Sequence, residues 1–255
     1  MKDYKVKVLS NVALNSSVFE MKLLVDGEFS ARCGQFINLS TPSDKQLLRR
    51  PFCVADYDES SVTVIYQVVG EGTRLLSTLT NGAELNALIG LGNGFDLTCY
   101  NKIMVIAGGM GTAVFPSIFR TNEGKEIYTF MGFNSQKQVI KYDFMQERSK
   151  ETHVATADGS VGYKGFVTDL AKKEYDRIKP DVIVACGPEP MFKALKKTFE
   201  GVSCPVFISM ERRMGCGIGA CLVCNCKVKI DGKEDYLRAC KDGPVFNAWE
   251  VDLDG

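Results

Sequence analysis

Histidine is nearly missing from this 255-residue sequence; His153 is the single one. One imidazole cannot supply a Rieske-type iron–sulfur centre, which needs two histidine ligands. It also lies in ETHVATA, a stretch that reads as a strand, so a structural role is expected. Excess charge of either sign is missing too. The 31 Lys and Arg are matched by 31 Asp and Glu, so the footprint of a nucleic-acid or anionic-membrane binder is absent. No apolar run approaches the roughly 18 residues a membrane span needs. The N-terminal MKDYKVKVLSNVAL lacks the apolar core and small-residue cleavage site of a secretory signal. Neither G-x-S-x-G nor a P-loop lysine motif occurs, which leaves hydrolase and phosphotransferase readings without footing. Internal repeats and low-complexity segments are lacking as well. The protein is therefore expected in the cytoplasm. There disulfides are disfavoured, and clustered cysteines bind metal or do redox work.

What is present falls into three textures. YKVKVLSNVAL, VFEMKLLV, QFINLS, CVADYD and SVTVIYQVV alternate apolar and polar residues between Gly, Asn, Asp and Ser turns. EGTRLLSTL has helical spacing, and the glycine-rich LIGLGNGFDL reads as a loop. A small antiparallel barrel with one helix is expected over residues 1–99. From Tyr100 the pattern changes. KIMVIAGG, EIYTFMGF, ETHVATA and DVIVACG are short strands, the first and last continuously apolar as in buried parallel sheets. VFPSIFRT, VIKYDFMQER, FVTDLAKKEYDRI and PMFKALKKTF between and after them can be helical. A doubly wound α/β domain is expected over 100–201. After Gly201 both periodicities fade, and residues 202–255 read as a separate cysteine-rich module. The fold class is therefore α+β and multidomain.

Of 10 cysteines, four crowd into CGIGACLVCNCKV at 216–228. Cys216, Cys221 and Cys224 follow C-x4-C-x2-C, and Cys240 comes after fifteen more residues. This is the spacing of a plant-type [2Fe–2S] site. Gly215, Gly217 and Gly219 give the loop the freedom to wrap a cluster. A zinc site would normally repeat C-x2-C, so iron–sulfur is favoured over zinc, and disulfides are disfavoured by compartment. Cys226 is the spare, read as a buried side chain like Cys33, Cys99 and Cys204.

AGGMGTAVFP at 107–116 and ACGPEPMFKAL at 185–195 are glycine turns that lead from buried strands into helical stretches. Free N–H groups at such turns suit a pyrophosphate at the carboxyl end of an open α/β sheet. In the barrel, Arg49 and Arg50 precede a proline that fixes the backbone, and a held guanidinium suits a phosphate or a flavin edge. Gly72 and Thr73 open a helix, another place for an anion.

Barrel, nucleotide domain and cysteine tail follow one another as in an electron-transfer protein. The chain resembles the ferredoxin–NADP reductase superfamily over nearly its whole length. Within it, the chain is similar to the electron-transfer subunits of class 1B dihydroorotate dehydrogenases. The matching stretches are LLRRPF, YQVVGEGTRLLS, GLGNGF, DGSVGYKGFVTDL, CGPEPMFKAL, ERRMGCGIGACLVC and CKDGPVF. The resemblance implies FAD on the barrel, with Arg50, Pro51, Phe52 and Cys53 in the flavin motif. Ile65, Tyr66 and Gln67 then form the next flavin-contacting strand, and Gly72 and Thr73 a phosphate turn. It implies NAD near Gly108, Gly109 and Gly111 and near Cys186, Gly187 and Pro188. The implied cluster ligands are Cys216, Cys221, Cys224 and Cys240. The implied partner is an FMN-containing catalytic subunit in a two-plus-two heterotetramer, with electrons passing from partner FMN to cluster, FAD and NAD. No acid–base residue of this chain is required for that transfer.

Two departures stand out. Cys53 occupies a position where that family commonly has serine, and a thiol is the weaker hydrogen-bond partner. Ala107 and Val114 stand where its glycine turn usually has glycine and proline, with Pro116 two residues further on. GFNSQKQ, after the second α/β strand, has no arginine for a 2′-phosphate, which favours NAD over NADP. Two alternatives accompany this reading. One is a related reductase subunit that bifurcates electrons or reduces ferredoxin or sulfur. The other is a non-enzymatic zinc-binding adaptor with the same fold.

Overall fold

A computed structural model describes residues 2–43 and 45–253. Its first part is built from β1 (Asp3–Ala13), β2 (Val18–Val25), β3 (Phe36–Leu39), β4 (Arg50–Tyr57), β5 (Ser61–Gln67) and β6 (Glu84–Leu91). A short helix α1 (Glu71–Ser77) lies between the last two. The strands close into a barrel in the order β1-β2-β5-β4-β3-β6, every neighbouring pair antiparallel. Closure leaves no unpaired edge. The alternation read in the sequence puts Val8, Met21, Leu23, Ile37, Leu39 and Val64 inside.

The second part holds β7 (Lys102–Gly108), β8 (Glu126–Phe133), α2 (Tyr142–Arg148), β9 (Glu151–Thr156), β10 (Tyr163–Lys164), α3 (Val167–Ile178), β11 (Val182–Cys186), α4 (Glu189–Thr198) and β12 (Val206–Ser209). A hairpin of β13 (Asn225–Ile230) and β14 (Lys233–Arg238) follows, then β15 (Val245–Asn247). The sheet order is β10-β9-β8-β7-β11-β12-β15, parallel except for β15. Every residue of β11 is buried, and all of β7 except Lys102, because the sheet is covered on both faces. Helix α3 packs on β7, β8 and β9, with α4 beside it. The other face meets 3-10 turns at Gly109–Val114 and Pro116–Arg120, and the first of these also packs on barrel strands β4 and β5. Barrel and sheet therefore share one core, in which Ile65 and Phe95 lie with Val105, Val114, Phe115 and Val184. The chain leaves β7 for β8 on one side and reaches β11 on the other. That reversal opens a crevice at the carboxyl ends of β7 and β11.

Three expectations differ from the structure. LIGL, read as loop, is the end of β6; Gly90 and Gly92 at φ +71° and +78° bend the strand and hide its pattern. VFPSIFRT forms no α-helix. Pro116 lacks an N–H, and Gly109 adopts φ +53°, so the segment tightens into the two 3-10 turns. The sheet also does not stop at residue 201. β12 pairs with β11 and β15 with β12, strands of four and three residues that are too short to show a period. The hairpin's inner residues Cys226 and Val228 belong to the same cluster as Phe192 and Val206, so residues 202–255 are packed onto the α/β core.

The shared core gives a test. Phe115 is fully buried, its ring centroid 5.9 Å from that of Phe95. Phe115→Ala is expected to cost ~3–5 kcal/mol, as for large-to-small changes in a core, read from the urea midpoint. A loss below about 1 kcal/mol would mean that barrel and sheet are not packed as one.

Candidate cofactor sites

The flavin motif lies on β4, whose register with β3 pairs Cys53 with Phe36, Phe52 with Ile37, Pro51 with Asn38 and Arg50 with Leu39. Between barrel and sheet lies a hollow of about 320 Å³ lined by Pro51, Phe52, Cys53, Ile65, Tyr66 and Gln67. Six of the nine positions assigned to FAD are thus gathered at one place. The Phe52 and Tyr66 rings are 5.3 Å apart, and the Tyr66 hydroxyl donates to Asn11 Oδ1 at 3.0 Å, which fixes the ring. This mostly apolar hollow with few polar groups suits a planar ring system.

Arg50 lies outside that hollow. It lines a second one of about 380 Å³, which shares Pro51 and Met214 with the first. Its guanidinium donates to the Leu48 carbonyl and to Gln46 Oε1. It also lies over Gly72, where a Cβ would sit 2.5 Å from Arg50 Nε. Arg50 and Gly72 are thereby brought together, a pairing that suits a phosphate. The other two residues of the expectation behave differently. Arg49 is committed to Asp3 through a fork at 2.8 and 2.6 Å. The Thr73 hydroxyl accepts from the N–H groups of Val69 and Gly70 at 3.0 and 3.1 Å and donates to the Gly70 carbonyl. That side chain holds the turn.

At the carboxyl ends of the parallel strands lies a cavity of about 460 Å³ lined by Gly108, Gly109 and Pro188. The other three expected residues stand behind it. A Cβ at Gly111 would collide with the Cys186 carbonyl, and one at Gly187 would sit 2.5 Å from Met191 Cε. These glycines let the two strand-to-helix turns pack on each other, and Cys186 is fully buried beneath them. The cavity also takes in Phe133, Asn134, Gly165, Phe166, Thr168 and Met191, none of which sequence reasoning assigned. Phe166, 69% exposed at the mouth, falls in DGSVGYKGFVTDL. That matching stretch was the available signal.

Cys53 and Glu211 in the wall of the hollow lie close enough to Cys186, beneath the crevice floor, to act on its pKa. Burial, then the neighbouring Glu211 carboxylate, pushes the Cys53 thiol up to about 12. Cys186 is raised well above the usual thiol range by burial, then by Cys53 and Glu211. Glu211 lines the flavin hollow, open to it yet ringed by protein, and that desolvation raises its carboxyl pKa. Sequence reasoning gave Glu211 and Ser209 no role, although the matching stretch ERRMGCGIGACLVC begins at Glu211. They are far from the flavin motif in the chain and reach the hollow only because β12 joins the sheet.

The four cysteines come together as two pairs. Cys216 and Cys221 share hydrogen bonds in both directions: Cys216 N–H to Cys221 Sγ and Cys221 N–H to Cys216 Sγ, each at 3.4 Å. Cys224 and Cys240 form the other pair, with the Cys240 N–H on Cys224 Sγ at 3.4 Å. The pairs are linked by the loop itself, whose Gly219 N–H reaches Cys240 Sγ at 3.1 Å while Ile218 and Ala220 donate to Cys216 Sγ. Burial alone would push the Cys216 thiol up. The N–H groups of Ile218, Cys221 and Ala220 outweigh it and bring the pKa down to about 6, so a thiolate is available at neutral pH. Gly217 and Gly219 take φ +71° and +84°, which lets these N–H groups turn inward. Two thiol pairs fit a dinuclear cluster with two sulfur ligands on each iron. Among the described residues, no three Cys, His, Asp or Glu side chains gather as they would around a single metal ion. Cys226 is fully buried on the hairpin's inner side, its Sγ 3.9 Å from the Cys224 carbonyl.

Comparison with known proteins agrees with this geometry. Residues 211–252 match the iron–sulfur cluster binding domain of dihydroorotate dehydrogenase B. Among solved structures, an NADH-dependent reduced ferredoxin–NADP oxidoreductase that performs flavin-based electron bifurcation superposes with a TM-score of 0.84. The identity is 29%, over 98% of this chain and 90% of that one. A ferredoxin–NADP+ reductase from Neisseria gonorrhoeae, solved with FAD and NADP, gives a TM-score of 0.65 at 16% identity, over 78% of this chain and 91% of that one. This second likeness shows the fold alone. The dihydroorotate dehydrogenase B (NAD(+)) electron transfer subunit of Clostridium acetobutylicum is 38% identical, over 97% of this chain and 96% of its own. That of Bacillus pumilus is 39% identical over 99% of both. With fold, thiol pairs and full-length relatives in agreement, the chain belongs to the family of electron transfer subunits of dihydroorotate dehydrogenase B (NAD(+)).

Proposed function

We propose that this chain takes electrons singly from the FMN of a dihydroorotate-oxidising partner and delivers them in pairs, as hydride, to NAD. The setting is cytoplasmic, and the assembly contains two copies of each subunit. When bound, a [2Fe–2S] cluster supplies one-electron transfer and FAD supplies the exchange between one- and two-electron chemistry. The observation that carries the reading is a short stretch of chain. Met214 lines the flavin hollow, and Cys216 follows two residues later. Two residues span at most ~7 Å, so flavin site and thiol pairs are neighbours.

The chain's residues divide the work. Cys216 and Cys221 hold one iron, and Cys224 and Cys240 the other. Arg50 beside Gly72 holds the FAD phosphates, while Pro51, Phe52, Cys53, Ile65, Tyr66 and Gln67 enclose the ring. Thr73 supports the turn. Gly108, Gly109 and Pro188 receive the nicotinamide cofactor, with Gly111, Cys186 and Gly187 setting the floor. Cys53, Cys186 and Glu211 mark where ring and nicotinamide meet. The raised pKa values of Cys53 and Cys186 keep both thiols neutral there. Around the exposed Cys221, the side chains of Ile218, Leu222 and Val223 are 41, 57 and 57% exposed. This apolar rim supports docking of the partner over the cluster.

The test uses both subunits. Dihydroorotate-dependent NAD reduction is expected only when the FMN-containing partner is added to the purified chain. It should disappear in Cys221→Ser together with the iron. NADH-driven reduction of an artificial dye should persist in that variant. Cys226→Ser should keep its iron, at some cost in stability. Equal loss of iron from both variants, or dihydroorotate oxidation by this chain alone, would overturn the reading.

Arg50→Ala is expected to lose FAD on gel filtration, since it removes a charge-assisted phosphate contact of about 1.5–3 kcal/mol. Lys173→Ala, on the outer side of α3, should retain it. Full FAD occupancy in the arginine variant would contradict the assignment.

Glu211 gives a pH test. Its pKa in the folded chain lies above the ordinary 4.5 because burial disfavours the charge. The folded state then binds this proton more tightly than the unfolded state, so stability falls as pH rises through that window and levels off above it. Glu211→Gln removes the effect. Its advantage in urea midpoint over the parent should grow from about pH 4 upward and persist at neutral pH. A pH-independent difference would show that Glu211 titrates normally.

A further inference from the structure

Two asparagines of the barrel reach across to the main chain of the cysteine module, one near each end of the ligand set. Asn93, just beyond β6, is the better satisfied. Its Nδ2 donates to the carbonyls of Asp242 and Val245 at 3.2 and 2.8 Å, and its Oδ1 accepts from the Val245 N–H at 3.1 Å. Its own N–H reaches the Gly243 carbonyl at 2.7 Å. Asn38, in β3, makes a single bond of this kind: Nδ2 donates to the carbonyl of Cys216 at 3.2 Å. Asn38 is 2% exposed, and its Oδ1 is buried with no partner among the described residues.

A position selected for stability would not look like this. A buried, unpartnered acceptor costs about 1–3 kcal/mol, and an apolar side chain of similar shape would avoid the loss. What the amide offers in exchange is its N–H on Cys216. The loop has adapted to receive it. Gly217 adopts φ +71°, and a Cβ there would sit 2.6 Å from Asn38 Nδ2, so the backbone lies directly against the amide. The peptide joining Cys216 to Gly217 is planar and trans, so its N–H points away from the carbonyl that Asn38 holds. Asn38 thereby fixes the orientation of a peptide dipole beside a thiol that already accepts the N–H groups of Ile218, Ala220 and Cys221.

The same strand faces the flavin site. Ile37 and Leu39 point into the barrel, and Phe36 and Asn38 point out of it. Phe36 lines the flavin hollow, and Asn38 pairs in register with Pro51 of the flavin motif. One side of one short strand thus touches both sites.

We infer that Asn38 is a positioning residue for electron passage between flavin and cluster, a role that rests on the cluster reading above. It pins the Cys216–Gly217 peptide to the strand that borders the flavin. In doing so it sets how close the first thiol pair lies to the hollow and how the loop dipoles face the sulfurs. Both quantities act on transfer. Hydrogen bonds and dipoles toward cluster sulfurs raise the reduction potential, and small misplacements of reacting groups cost one to two orders of magnitude in rate. Each turnover sends two electrons, one after the other, across this contact.

The test uses the full chain, purified anaerobically with its cofactors. Asn38→Leu keeps the volume and removes the N–H, and Gly217→Ala disturbs the same contact from the loop side. FAD, iron and sulfide content report the fold and the loading. The reduced-cluster EPR spectrum, its midpoint potential and the rate of cluster bleaching by NADH report the role. Asn38→Leu is expected to retain iron and FAD, to shift the EPR spectrum, to lower the potential and to slow bleaching by about tenfold. Gly217→Ala is expected to change the spectrum and the rate in the same sense, so the contact remains testable if one variant folds poorly. Parent-like EPR spectrum, potential and bleaching rate in a fully loaded Asn38→Leu protein would overturn the inference while leaving the cluster reading intact. A parent protein without iron or sulfide would instead sink the cluster reading, and this inference with it.

Discussion

Gly111 has no room for a side chain, because the Cys186 carbonyl stands where a Cβ would be. Much of the molecule follows from that contact. It lets the turn after β7 lie against the turn after β11, at the point where the sheet reverses direction. The backbone that continues from Gly111 forms no α-helix. It tightens into 3-10 turns whose buried residues, Val114 and Phe115 among them, fill the space between sheet and barrel. The first crossover of the α/β domain has thus become the mortar between two domains. The barrel's flavin motif and the sheet's nucleotide turns are held at a fixed separation as a result.

That seam also decides the electrostatics. Cys53 comes from the barrel, Cys186 from the crevice and Glu211 from the segment after β12. Burial raises all three pKa values, and the Glu211 carboxylate adds to the rise of both thiols. A hydride moves its proton and two electrons together, so such a site needs exclusion of water more than it needs a base. Cysteine in place of the family's common serine at residue 53 fits this setting. A thiol is more readily buried than a hydroxyl and makes a weaker hydrogen bond, so the exchange gives up polarity at this position.

Legibility in the sequence followed periodicity and local spacing. EIYTFMGF is β8 residue for residue, and the C-x4-C-x2-C spacing led to four thiols that the fold does bring together. Pro51, Phe52 and Cys53 are contiguous on one strand, and the fold brings them to one hollow with Ile65, Tyr66 and Gln67. What escaped depended on contacts between distant segments. Of the two adjacent arginines, nothing local says that Arg49 will be taken by Asp3 and Arg50 left over Gly72. Nothing local says that the Thr73 hydroxyl will be spent on its own turn, or that Phe166 will stand at the mouth of the nucleotide cavity. β12 and β15 escaped because so few residues carry no period. The cysteine tail consequently read as a separate unit, although its inner side chains complete the α/β core.

That completion bears on how the parts depend on one another. Residues 209–216 run from the end of β12, past Glu211, Arg212 and Met214 in the wall of the flavin hollow, to the first cysteine. The chain that shapes the flavin's surroundings is continuous with the chain that presents the thiols. On the far side, Asn93 grips the segment after Cys240 by four hydrogen bonds to its backbone. Iron binding and folding are coupled in a loop of this kind. Here the loop is anchored at both ends to the barrel and backed by the sheet. The wall of the flavin hollow and the cysteine loop are therefore one stretch of chain, held to the barrel at both ends.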